Sequence, residues 1–120
     1  MPKLLIHLTT GPEAPTRAAL GFLVGSAAIE NGHQVTLFLA GDSVQLIRDS
    51  VLDSLEGLGT GRLRGSFDAI VAGGGRFFLS GMSSKNRAVT DSDLAGKPAE
   101  FATPNRLVEL TFEHDRVLTY

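Results

Sequence analysis

Three serines, Ser80, Ser83 and Ser84, with Lys85 and Arg87 close behind, are the residues of this chain best placed to do chemistry. They lie in the stretch Gly73–Ala88, GGGRFFLSGMSSKNRA, where a short apolar run, Arg76–Leu79, reads as a buried strand. The run opens through Ser80-Gly81 into a Ser-rich helix start, and the carboxyl end of a strand is where α/β domains place their ligands. Hydroxyls and free amides at a helix start favour an anion or a polar oxygen, and Lys85 and Arg87 add positive charge. The same serines serve equally as plain helix caps. As a nucleophile Ser80 would need a base within hydrogen-bond reach. Lys85 is the nearest candidate, but Ser83-Ser84-Lys85 lacks the S-x-x-K spacing of Ser–Lys enzymes, and no G-x-S-x-G surrounds any serine. No catalytic residue is assigned.

Other chemistries find little support. With no cysteine among 120 residues, disulfides, Cys-ligated zinc, iron–sulfur clusters and a persulfide carried on this chain are excluded. His7, His33 and His114 lie far apart with no metal-ligand spacing, and His7 reads as a satisfied core imidazole. Gly59-Thr60-Gly61 meets Arg64 where a nucleotide loop requires its third glycine, and Gly73-Gly74-Gly75 precedes its strand instead of following it. Both read as turns, and Asp91 and Asp93 as solvated loop carboxylates. No cofactor is expected. A net charge of −2 gives no reason to expect nucleic acid or a membrane surface as partner. Lys3 leads into an apolar core too short for a secretory leader, and the run Ala18–Ile29 falls short of the ~20 residues of a membrane span. A cytoplasmic location is expected.

The elements that must position the serines follow from patterning. Lys3–Leu8 is mostly apolar, as a strand covered on both faces would be. Thr10 and Glu13 have capping-box spacing, a helix is expected from about Ala14 to Asn31 with Gly32 as its stop, and Leu20, Val24, Ala27 and Ala28 trace one face. Gly21 and Gly25 let that helix approach a sheet or a partner closely. Gln34–Ala40 is a second strand and Gly41-Asp42-Ser43 the next turn, with helical spacing in Val44, Ile47 and Val51. Residues 52–65 read as loop or short turns, and a helix from Arg62 or Ser66 carries Phe67, Ile70 and Val71 to Gly73. Asp91–Pro98 reads as loop and Ala99–Ala102 as a short strand. Thr103-Pro104 starts a helix packing through Leu107, Val108, Leu110 and Thr111, and Arg116–Tyr120 is a last strand. Strands alternating with helices imply one α/β domain over residues 1–120, three layers deep, with a flavodoxin-like five-stranded parallel sheet.

The fragments also carry a resemblance. Ser80-Gly81 with Arg87 seven residues on, the Thr-Gly-Pro loop after the first strand, Arg17-Ala18, Gly32-His33, Phe38-Leu39 before Gly41-Asp42, and the ending Asp115–Thr119 together resemble the DsrE/DsrF-like (YchN-like) sulfur-relay family. Many members carry C-G-x-x-x-x-x-R-G after the third strand; here Ser80 stands at the reactive Cys and Ala88 at the final Gly. The resemblance implies strand order 2-1-3-4-5, which makes the first and third strands neighbours. Thr9, Thr10 and Gly11 would then face Ser80, Gly81, Ser83, Ser84, Lys85 and Arg87 across a crevice, with Asp42 nearby, as a ligand site. It implies a homo-oligomer, trimer or hexamer. Without the sulfur-carrying Cys, the readings are a non-catalytic binder of a small polar or anionic metabolite, or a structural or regulatory relay subunit whose Cys lies on a homologous partner. A Ser80-dependent enzyme ranks third.

Overall fold

A computed structural model describes residues 2–120. In chain order the elements are β1 (Lys3–Leu8), α1 (Pro15–Glu30), β2 (Gln34–Leu39), a 3-10 segment (Gly41–Ile47) and α2 (Asp49–Ser54). A two-residue ribbon, β3 (Glu56–Gly57) and β4 (Gly61–Arg62), precedes α3 (Leu63–Ala72), β5 (Arg76–Ser80) and α4 (Gly81–Asn86). The chain closes with α5 (Asp91–Leu94), β6 (Ala99–Ala102), α6 (Pro104–Glu113) and β7 (Arg116–Thr119).

Five strands form one parallel sheet in the order β6-β5-β2-β1-β7. β1 and β5 both lie inside it, as their apolar runs require. The order differs from the expected 2-1-3-4-5: numbered along the chain, the five sheet strands run 4-3-2-1-5, so the first and third are separated by the second. Helix placement explains this. Residues of α1, the 3-10 segment, α2 and α3 all share one core with Ile6, Leu37, Phe77 and Leu79. Right-handed crossovers on one face always step the sheet the same way. Only α6 lies on the other face, where Leu110 packs with Leu5, Phe38 and Phe78. Its crossover reverses the step and sets β7 beside β1.

Several local expectations need correction. Glu13 Oε1 accepts from the Gly11 amide at 2.8 Å, so no Thr10–Glu13 capping box forms, and Ala14 is the unaided N-cap of α1. The helix buries Ala18, Phe22, Gly25 and Ala28, while Leu20 and Ala27 are exposed. Gly21 and Gly25 are the reason: a Cβ on Gly21 would run into Leu8 of the sheet and one on Gly25 would lie 3.0 Å from Ile70 of α3, so backbone, not side chain, meets both neighbours. Asp91–Pro98 is not all loop, because Thr90 and Asp93 form a reciprocal capping box that starts α5. Asp93 also faces Arg48 at 3.9 Å, so it is not merely solvated. On α6, Leu107 and Leu110 pack but Val108 and Thr111 do not; Val108 is 56% and Phe112 86% exposed. His7 is not satisfied: its buried Nε2 has no partner, its ring meets Phe38 edge-on, and burial lowers its pKa. No helix among the described residues is long and apolar enough to cross a membrane.

Candidate functional site

Ser80 ends β5 and caps α4, its Oγ accepting from the Ser83 amide at 3.2 Å. By strand alternation it shares the α6 face with Phe78, and it is 8% exposed. Ser83 Oγ in turn accepts from the Gly41 amide at 2.9 Å, tying α4 to the turn after β2. Arg87 closes the cluster: its Nε donates to Asp42 Oδ1 at 3.0 Å and its Nη1 to the Ser83 carbonyl at 3.2 Å. The Arg87 carbonyl accepts from Arg48 Nη2 at 2.6 Å. A Cβ on Gly11 would fall 2.2 Å from the Asp42 carbonyl oxygen, so this position needs glycine for closeness alone.

Asp42, Ser80, Ser83 and Arg87 are therefore brought together, with Gly11 against Asp42. The expected crevice between the first and third strands is replaced by this packed seam, because the Gly41–Ser43 turn fills it. Thr9 faces away from Ser80: its amide and Oγ1 both donate to the Tyr120 carbonyl, at 2.9 and 3.2 Å. Thr10 Oγ1 is buried without a partner.

The open space lies on the other side of α4. A cavity of about 390 Å³ is lined by Gly81, Ser84, Lys85 and Ala88, with Val89, Thr90 and Phe101 behind them. Ser84 is 1% exposed and its Oγ has no hydrogen-bond partner. Lys85 is exposed and pairs with no carboxylate among the described residues. Ala88 adopts φ 56°, where the chain turns back toward Val89. The residues that sequence reasoning missed here are Val89, Thr90 and Phe101. Thr90-x-x-Asp93 carries capping-box spacing and could have located the wall.

Chemically, Arg87 has its charge answered by Asp42, whereas Lys85 does not. No carboxylate, imidazole or amine is hydrogen-bonded to Ser80 Oγ among the described residues, so nothing there would take its proton. No cluster of His, Asp or Glu suited to a metal occurs among them either.

A model of the DsrE/DsrF-like family matches residues 2–120. The structure is similar to that of the ychN protein from E. coli, with a TM-score of 0.75 at 19% identity, each chain covered in full. It is also similar to a conserved protein of unknown function, BT1422, from Bacteroides thetaiotaomicron, with a TM-score of 0.68 at 16% identity, over 98% of this chain and 94% of that one. No curated protein matches the sequence.

Proposed function

We propose, from the premise that this chain belongs to the DsrE/DsrF-like family over residues 2–120, that it is a cysteine-free member that binds a small anionic metabolite beside α4 without catalysis. A hydroxyl cannot hold the sulfane sulfur that a thiolate would, so a persulfide relay step on this chain has no carrier. The observation that carries the reading is the cavity where the unpaired Lys85 stands beside the unpartnered Ser84 hydroxyl. Val89 and Phe101 offer an apolar wall, which suits a carboxylate with a short hydrocarbon body. The seam of Asp42, Ser80, Ser83 and Arg87 fixes α4 and so holds Ser84 and Lys85 in place.

The test is melting temperature against the concentration of a small carboxylate, with sulfate and phosphate in parallel. Binding to the folded state alone adds ~2.7 kcal/mol of stability when ligand exceeds its dissociation constant a hundredfold. The shift should vanish in Ser84→Ala/Lys85→Ala; equal shifts in both proteins would sink the reading.

The second reading, a subunit whose relay Cys lies on a homologous partner, draws support from the α6 face. The apolar cluster of that face buries only Leu5, Phe38, Phe78 and Leu110 among the described residues, and the face leaves Val108 and Phe112 in solvent. Such cover suits another chain, whether a second copy or the Cys-bearing homologue, and a cytoplasmic location goes with either. Sedimentation of wild type against Phe112→Asp decides the first case. A monomer in both proteins would count against self-association.

A further inference from the structure

At the opposite end of the sheet from α4, the amino ends of β1, β2 and β5 open onto a cavity of about 380 Å³. Its wall includes Lys3, Gln34, Thr36, Arg76, Arg106 and His114, with Glu113 as the single acidic residue. Three cations against one carboxylate is a large local excess in a chain of net charge −2.

The cations are not equivalent. Arg106 Nη1 donates to Glu109 at 3.2 Å and to Glu113 at 3.0 Å, so its charge is answered. Arg76 has no carboxylate partner among the described residues; its guanidinium lies over the Phe78 ring, 5.1 Å from the centroid. Arg106 lies over the same ring at 5.3 Å. Phe78 is 3% exposed, so one fixed aromatic ring positions both guanidinium groups. The Lys3 ammonium also has no acidic partner, since Asp115 Oδ2 is held by the Lys3 backbone amide at 2.7 Å.

The floor is set by His114. Its Nδ1 lies 2.6 Å from the Leu110 carbonyl, which can only accept, so Nδ1 carries the proton. Nε2 pairs with the Thr36 hydroxyl at 3.1 Å, which leaves both groups spent. What remains free is Arg76, Lys3 and the Gln34 amide. The registers Lys3↔Gln34 and Thr36↔Arg76 put all three on one face of the sheet. Lys3 and Arg76 start two strand spacings apart across the sheet and two residues apart along it, roughly 12 Å, a gap their long side chains can close onto one ligand.

We infer that this cavity is a second ligand site, for the phosphate group of a small molecule, with Arg76 and Lys3 as its binding residues. A planar guanidinium fork pairs with two oxygens of one phosphate, and an ammonium supplies a point charge to a third. The cavity falls within the ~300–1,000 Å³ range of small-molecule sites, so an organic body fits beside the phosphate. The site is independent of the one beside α4 and shares no residue with it.

Amide spectra recorded during titration with inorganic phosphate and with glycerol phosphate, at fixed ionic strength, test this. Saturable shifts are expected at Gln34, Thr36 and Arg76, and affinity should fall by about tenfold or more in Arg76→Gln and in Lys3→Gln. Arg62→Gln, an exposed cation outside this cavity, should bind as wild type does. Tighter binding of glycerol phosphate than of phosphate supports an organic ester as ligand, and equal binding supports the free ion; both keep the phosphate site. Shifts reproduced by chloride, shifts confined to residues 81–90, or undiminished affinity in a folded Arg76→Gln would overturn it.

Discussion

The two ends of the sheet handle polar groups in opposite ways. At the carboxyl end, Arg87 is bonded to Asp42 and to the Ser83 carbonyl, Ser83 to the Gly41 amide, and Ser80 to the Ser83 amide. At the amino end, the Arg76 and Lys3 side chains pair with no carboxylate among the described residues. The carboxyl end of a parallel sheet is the expected ligand end. Here much of its polar capacity is turned inward as structure, and what is left over includes Ser84 and Lys85 on the far side of α4 and the buried Thr10 hydroxyl. Position in the fold says where to look; unspent hydrogen-bonding capacity says what is available to bind.

The sharpest break in the comparison is steric. Gly11→Ala puts a methyl group 2.2 Å from the Asp42 carbonyl oxygen, backbone against backbone, so the seam must open. A loss of ~3 kcal/mol is expected by denaturant titration, at the upper end for overpacking. Gly74→Ala at the amino end meets nothing within 4 Å and suffers only from its φ of +84°, for ~1 kcal/mol. Equal losses would mean the carboxyl seam is no tighter than the amino end. Next, Asp42→Ala removes the partner of a guanidinium that is 30% exposed, so solvent screening holds the cost to ~1 kcal/mol or less. The same change frees Arg87, and weak anion binding should then appear at the seam, seen as a rise in melting temperature with anion concentration larger than that of wild type. Ala88→Gly relieves a left-handed backbone and should stabilise by ~0.5 kcal/mol, part of the relief being lost to unfolded-state entropy.

The smallest effect is one of pH. Burial lowers the His7 pKa below its ordinary 6.5. The unfolded chain therefore binds a proton that the folded one resists, in the window from 6.5 down to the folded value. Stability from this group is present above that window and is lost as pH falls through it. Melting curves from pH 7.5 to 5 should show wild type losing stability relative to His7→Phe, most of it below pH 6.5. Parallel curves for the two proteins would remove His7 as the cause.

Much of the fold was legible because strands buried on both faces must be apolar, and β1 and β5 advertise that in Leu4–Leu8 and Phe77–Leu79. Strand order was not, since an apolar run reports burial and says nothing of neighbours. It depends on which face each helix takes. The clue was indirect: Leu107 and Leu110 are the packed part of an otherwise wet α6, a narrow stripe fit for a thinly covered face. At the candidate site the residue types were legible and their commitments were not. Ser80, Ser83, Ser84, Lys85 and Arg87 are contiguous in sequence, but Asp42 lies 45 positions from Arg87, and only the fold shows that one neutralises the other. The amino-end cations were missed for a similar reason, because Lys3, Arg76 and Arg106 each look like ordinary solvated charges until the sheet gathers them.

The pairing of β7 with β1 has a consequence for how this protein is made. Arg116 pairs with Leu4, and the Asp115 amide bonds the Lys3 carbonyl, so β1 waits on the ribosome for a strand made about a hundred residues later. At roughly 5–20 residues per second that wait is about 5 to 20 s. Throughout it, one edge of Leu4-Leu5-Ile6, apolar and free of proline, stays open to any extended chain that passes. Nascent chains stalled before Arg116 should therefore be the aggregation-prone species and the natural clients of a holdase, whereas a chain that has made β7 closes its own edge. Folding is gated by the order of synthesis, and the strand that completes the sheet also withdraws the hazard.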